Sequence, residues 1–266
     1  MAIDNRNVRD RKGGGLDLQL EGKTALVTGA SSQGIGRAIA LGLAAEGAIV
    51  AIAARRVELL RKTAREFVAA GYREPIVLEA DLYAEETPCA LAAAATDALG
   101  RVDILINCAG GSRPLPLDAP AEKWSESLML NFFRVRELTH ALLPGMIKNK
   151  WGRIVNITGS SEPYTFNAAA PAKAAVHAWS KCLSREVGRH GVTSNCIQPG
   201  RIMSEQILKI YPTEERRQQA ALDVPIRRLG QPNELADLAV FLSSPRAVYI
   251  TGTVIPVDGG LKRFAF

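Results

Sequence analysis

The chain has 266 residues, 47% hydrophobic and 23% charged, which is the balance of a globular chain able to bury its own core. No apolar run approaches the ~20 residues of a membrane span, so no membrane partner is expected. The net charge of +6 is interspersed with acidic residues, as in TEERRQQ (213–219), which fits a solvated surface plus an anionic small-ligand site and not a nucleic-acid face.

In chain order, the polar, basic start MAIDNRNVRDRKGGG lacks the apolar stretch of a secretory signal, and residues 1–18 read as a flexible arm before one domain over 19–266. Apolar, β-branched runs at 23–28, 48–53, 76–80, 103–107, 153–158, 192–197 and 252–257 predict strands. Helix-length segments at 35–46, 57–70, 88–98, 122–148, 168–190 and 232–243 alternate with them. That alternation predicts an α/β fold, a Rossmann-type doubly wound sheet of seven parallel strands in a single domain. Runs such as ILIN, apolar at nearly every position, fit strands covered on both faces. The four cysteines form no C-x-x-C pair and the three histidines have no ligand spacing, so reduced thiols, a cytoplasmic setting and no metal are expected.

The first strand runs into Gly29, Ala30, Ser31, Ser32, Gln33, Gly34, Ile35 and Gly36, and then a helix. Glycines there let backbone approach a pyrophosphate, and the helix N-terminus offers free N–H groups and positive dipole. The second strand ends in Ala53-Ala54-Arg55-Arg56 instead of a carboxylate. An acid at that point would hold the ribose 2′-OH of NAD. Arginine instead favours a 2′-phosphate, so Arg55 and Arg56 point to NADP(H), the competing reading being surface charges at the start of a helix.

These stretches, with Asp81-Leu82, Asn107-Cys-Ala-Gly110, Asn131, RIVNIT, PAKAAVHAWSK, Gln198-Pro199-Gly200 and ITGTVIPVDGG, occur in the order seen in short-chain dehydrogenases/reductases, and the chain resembles the 3-oxoacyl-ACP reductase-like members over about 19–261. The resemblance implies an oxidoreductase acting on a small-molecule carbonyl, alcohol or activated C=C substrate, assembled as a homotetramer. It places Asp81 and Leu82 by the adenine, and Asn107, Ala109 and Gly110 over the ribose. Lys173 falls on the nicotinamide ribose, and Pro199, Gly200 and Ile202 by the nicotinamide.

The family's usual catalytic set is Ser-Tyr-Lys-Asn. Lys173 and Asn131 match, but the position four before Lys173 is Ala169, and the serine position falls on Gly159. Alanine cannot donate a proton, so three readings stand. Tyr164, with Ser160 or Ser161 on the substrate oxygen, supplies a relocated acid. Alternatively, water or Lys173 handles the proton. In the third, the chain binds NADP(H) without turnover. Glu162 reads as an exposed loop carboxylate, His177 as a packed helix residue, and Trp124 and Trp179 as packing or interface residues. Residues 201–222 occupy the place of a substrate lid with a mostly apolar wall.

Overall fold

The computed structural model describes residues 16–31, 33–160, 162–163 and 165–264. In chain order these form β1 (Thr24–Thr28), α1 (Ile35–Ala45), β2 (Ile49–Ala54), α2 (Val57–Ala69), β3 (Ile76–Glu79), α3 (Thr87–Leu99) and β4 (Ile104–Asn107). There follow α4 (Ala121–Leu128), a π turn (Met129–Phe133), α5 (Arg134–Lys148), β5 (Gly152–Ile157), α6 (Ala169–Val187) and β6 (Val192–Pro199). The chain closes with α7 (Glu205–Ile210), α8 (Glu214–Leu222), α9 (Pro232–Leu242) and β7 (Val254–Val257). The strands form one parallel sheet in the order β3-β2-β1-β4-β5-β6-β7, so the fold is the expected doubly wound α/β domain.

Strand residues alternate between the two faces, and each face is buried. In β1, Ala25 and Val27 pack with Ile39 and Leu43 of α1 and with Leu235 and Ala239 of α9. Leu26, between them, joins Leu91 of α3, Leu138 and Leu142 of α5 and Leu183 of α6 on the opposite face. Each fully buried leucine contributes on the order of 1.5–3 kcal/mol, which is why short strands suffice here.

Order reverses at β1 and β4, whose carboxyl ends diverge to opposite sides of the sheet and open a crevice. Two glycines set its floor. A Cβ on Gly36 would stand 2.6 Å from the Gly29 carbonyl oxygen, and one on Gly29 would stand 2.9 Å from the Ala109 backbone.

Three expectations change in detail. The helix predicted over 122–148 is interrupted by the π turn, because the Asn131 side-chain amide donates to the Ser127 carbonyl at 3.0 Å. An unbroken α-helix would give that carbonyl to Asn131's own N–H. The lid stretch holds two short helices, whose first turns are capped by Ser204 and Thr213. Leu18 packs on the core and the Asp17 carbonyl accepts from Arg246 at 2.9 Å, so residues 17–18 lie against the domain. Residues 1–15 of the expected arm lie outside the described residues. Among the described residues no helix is long and apolar enough to cross a membrane.

Gly36→Ala should lower stability by roughly 1–3 kcal/mol, since the obstructing atom is backbone and cannot rotate away. Urea denaturation of the variant checks this, and an unchanged midpoint would show that the turn relaxes freely.

Candidate active site

One cleft of about 820 Å³ opens at the carboxyl edge of the sheet. Its floor is the β1–α1 turn, with Gly29, Ser31, Gly34, Ile35 and Gly36 on the wall. Among the described residues helix α1 has no side-chain cap and no acidic residue in its first turn, so its dipole suits an anion there. Gln33 is solvent-exposed and off the wall, and Ser32 lies outside the described residues.

At the end of β2, Arg55 and Arg56 line the cleft as expected. The Arg55 guanidinium lies over the Tyr83 ring at 4.9 Å, with its Nε 3.7 Å from Asp81. Arg56 donates to Glu205 of α7 at 3.0 Å, which ties the lid to the far side of the cleft. Asp81, Leu82 and Tyr83 follow β3 on the same wall.

Beyond β4 the chain is held by one hydroxyl. Thr28 Oγ1 donates to the Ile106 carbonyl (3.2 Å) and accepts from the N–H groups of Cys108 (3.0 Å) and Ala109 (3.1 Å). Ala109 and Gly110 reach the cleft, but Asn107 does not. Its buried amide donates to Thr139 at 3.0 Å and Asn156 at 2.9 Å, tying β4 to α5 and β5. Asn131 is likewise kept off the wall, its Oδ1 accepting from Gly111 N–H at 3.1 Å. Asn131 thus touches the cleft through the Gly111 backbone it holds, and Asn107 through the placement of β4.

Lys173 lies one turn into α6 on the cleft wall. Its Nζ donates to the Thr158 carbonyl at 2.9 Å, and burial lowers its pKa. Beside it, burial pushes the Cys108 thiol up to about 12, leaving it neutral. His177 is one turn further along α6. The single proton of Thr158 Oγ1 goes to the Ile197 carbonyl at 3.1 Å, so His177 Nε2 donates to that hydroxyl at 2.7 Å. Burial, then the charges of Lys173 and Lys262, lower the histidine's pKa, and its ring packs behind the loop off the cleft wall.

The loop after β5 carries the remaining predicted residues. Ser160 Oγ accepts from Glu162 N–H and donates to the Glu162 carbonyl, both at 3.0 Å. Its hydroxyl is closed within the loop, so the expected contact of Ser160 with a substrate oxygen requires that turn to open. Tyr164 and Ser161 lie outside the described residues. Ala169, buried on the wall, begins α6, and the Asn167 side chain just before it accepts from Ala169 N–H at 2.9 Å. Pro199, Gly200 and Ile202 close the wall after β6.

Several cleft residues were not foreseen: Cys108, Tyr83, Ser112, Arg113, Asn167, Glu205 and Gln206. Arg113 donates to the Tyr83 hydroxyl and sits 3.6 Å from Glu126 of α4. Tyr83, Ser112, Arg113 and Asn167 lie within three residues of recognised stretches, so reading slightly beyond each stretch would have found them. Among the described residues no three His, Cys, Asp or Glu side chains gather as a metal site.

The sheet order, glycine turn and crevice define a Rossmann-type dinucleotide fold. The family model described as enoyl-(acyl carrier protein) reductase matches residues 29–262, and the chain belongs to the short-chain dehydrogenase/reductase family of NAD(P)-dependent oxidoreductases. It is similar to 3-oxoacyl-(acyl-carrier-protein) reductase of Vibrio cholerae, at 38% identity over 92% of this chain and 99% of that one. Similarity to 7alpha-hydroxysteroid dehydrogenase of Escherichia coli K12 is 34% over 92% and 96%. A variant of actinorhodin polyketide ketoreductase, solved with NADPH, superposes with a TM-score of 0.87 at 32% identity, over 91% of this chain and 98% of that one.

Glu162 ties the loop after β5 to the C-terminal segment. Its carboxylate accepts the N–H groups of Arg263 (3.0 Å) and Phe264 (3.2 Å), the first of which does most to hold its pKa below the ordinary value. A depressed acid tethers fully above its unfolded pKa and lets go as pH falls through the lower folded value. The amide proton resonances of Arg263 and Phe264 should therefore stay unchanged from neutral pH into the ordinary carboxylate range and move only in stronger acid. In Glu162→Gln they should be displaced already at pH 7.

Proposed function

We propose that the chain is an NADP(H)-dependent oxidoreductase acting on a small carbonyl, alcohol or activated C=C substrate with an altered proton-donating apparatus. The observation that carries this reading is Lys173, desolvated on the wall of a cleft whose floor is an uncapped helix N-terminus.

The residues fit a phosphorylated dinucleotide. The first-turn N–H groups of α1 suit a pyrophosphate, and no carboxylate ends β2 to repel a 2′-phosphate. Arg55, half exposed and only 3.7 Å from its carboxylate partner, is free to turn its planar fork to that phosphate. Bound there, the cofactor supplies hydride. The chain's task is then to orient the acceptor, exclude water and deliver one proton.

Ala169 stands where the resemblance puts the family's tyrosine, and Gly159 where it puts the serine. A Cβ on Gly159 would meet the Lys173 stem at 3.1 Å, so glycine lets that lysine lie flat on the loop. The proton then comes from Tyr164 or from water held near the Lys173 ammonium, a role worth roughly 10²–10⁴-fold in rate.

Tyr164→Phe should abolish NADPH oxidation by whichever ketone the wild type reduces fastest while NADPH affinity stays. Unchanged turnover would remove Tyr164 from the mechanism and leave water as donor. Arg55→Asp should weaken NADPH by about 10- to 100-fold, the loss of one or two charge-assisted hydrogen bonds, and NADH far less. Fluorescence titration of both nucleotides decides it, and equal losses would free Arg55 from that assignment. Nucleotide binding with no reduction of ketones or enones by NADPH and no oxidation of alcohols by NADP⁺ would establish a binding protein instead.

A further inference from the structure

With the family's serine position empty, something else has to hold the substrate oxygen if the reductase reading is right. The cleft hydroxyls can be sorted by where their single protons go. Thr28 gives its proton to Ile106, Thr158 to Ile197 and Ser160 to Glu162, all backbone carbonyls. Ser31 stands in the glycine turn, Ser204 caps the lid helix, Thr165 is solvent-exposed, and the Tyr83 hydroxyl accepts from Arg113 beneath the Arg55 guanidinium at the β3 end of the cleft. Ser112 remains.

Its orientation follows from the amide beside it. Asn167 Oδ1 accepts two backbone N–H groups, from Arg113 (2.9 Å) and Ala169 (2.9 Å). A backbone N–H can only donate, so the oxygen and nitrogen of this amide cannot be exchanged. Asn167 Nδ2 must then donate, and it does so to Ser112 Oγ at 2.6 Å. Ser112 is an acceptor in that bond, and no acceptor among the described residues takes its own proton. The hydroxyl lies on the cleft wall. Its neighbours fix its place: Asn167 holds the start of α6 at Ala169, and a Cβ on Gly110, two residues before Ser112, would be 3.9 Å from Lys173 Nζ.

We propose that Ser112 is the hydrogen-bond donor to the substrate carbonyl oxygen, with Asn167 as the positioning residue that turns its proton toward the substrate. The proposal rests on the reductase reading. In the reaction the carbonyl carbon takes hydride from the reduced cofactor, the oxygen takes one proton from Tyr164 or water, and the oxidised cofactor leaves. Ser112 keeps its own proton throughout and only polarises the C=O bond, the role of an oxyanion-hole donor.

The test uses the full chain saturated with NADP⁺ and ethyl acetoacetate labelled with ¹³C at its ketone carbon. A hydrogen bond to the oxygen moves that carbon resonance downfield. The wild type should show the downfield shift on binding, Ser112→Ala should lose it, and Ser112→Thr should restore it. Asn167→Asp is the sharper variant. An aspartate keeps both backbone acceptances but takes the Ser112 proton for itself, so the shift should vanish although Ser112 is present. In steady state with NADPH, Ser112→Ala should cost about 10²-fold in kcat/KM, the magnitude of losing one such donor. NADPH affinity should be unchanged in all three variants, which also reports that they fold. A wild type that reduces the probe and a Ser112→Ala variant that matches it in shift and rate would overturn the Ser112 assignment alone. A wild type that binds NADPH yet neither shifts the probe nor reduces any ketone or enone offered to it overturns the reductase reading and the assignment with it.

Discussion

The cleft depends on how closely β1 and β4 can leave the sheet together. Thr28 fastens three backbone groups of the β4 exit with a single hydroxyl, and Gly29 admits the Ala109 backbone to a distance no side chain would allow. Gly36 brings α1 down on the same turn. The Gly29 and Gly36 contacts are backbone to backbone, so they cannot be loosened by a change of rotamer. The helix N-terminus, the β4 exit and, through Gly110 and Asn131, the neighbourhood of Lys173 are therefore held as one rigid piece. The more adaptable parts, the loop after β5 and the lid helices, are hung around it by side-chain bonds.

That division explains how much could be read from the sequence. Strand runs such as ILIN and the glycine turn carry their signal locally, as an apolar period or a backbone requirement, and the sheet followed from them. The helix broken at Asn131 was not legible, because its π turn arises when a side-chain amide takes a carbonyl that periodicity assigns to the backbone. Asn107 lay in a recognised motif, yet its side chain faces Thr139 and Asn156, partners 32 and 49 residues away. The motif marked the place but not the direction. Ser160 looked available as a hydroxyl, and only the turn geometry reveals that its proton is spent on Glu162. Ser112 and Asn167 are 55 residues apart and carry no motif; their pairing exists only in three dimensions.

Charge within the cleft is uneven in a way that matters for ligands. Arg55, Arg56, Arg113, Lys173 and Lys209 face Asp81 and Glu205 on its walls, so an anion is drawn in by several donors at once. The Cys108 thiol placed among them is neutral because burial disfavours its charged form. Among the described residues Lys173 pairs with no carboxylate, and its ammonium donates to the Thr158 carbonyl.

The link between Arg56 and Glu205 joins half-exposed side chains, an interaction worth under about 1 kcal/mol, so the lid is held lightly. It also means that the guanidinium already has an anion before any ligand arrives. A phosphate taking that place exchanges one ion pair for another instead of creating a new one. Added salt weakens the resident pair and the incoming pair together. The affinity for a phosphorylated nucleotide should therefore fall with ionic strength more gently than the number of cations in the cleft would imply, and a chain in which residue 205 is uncharged would bind more tightly at low salt and lose that advantage as salt is raised.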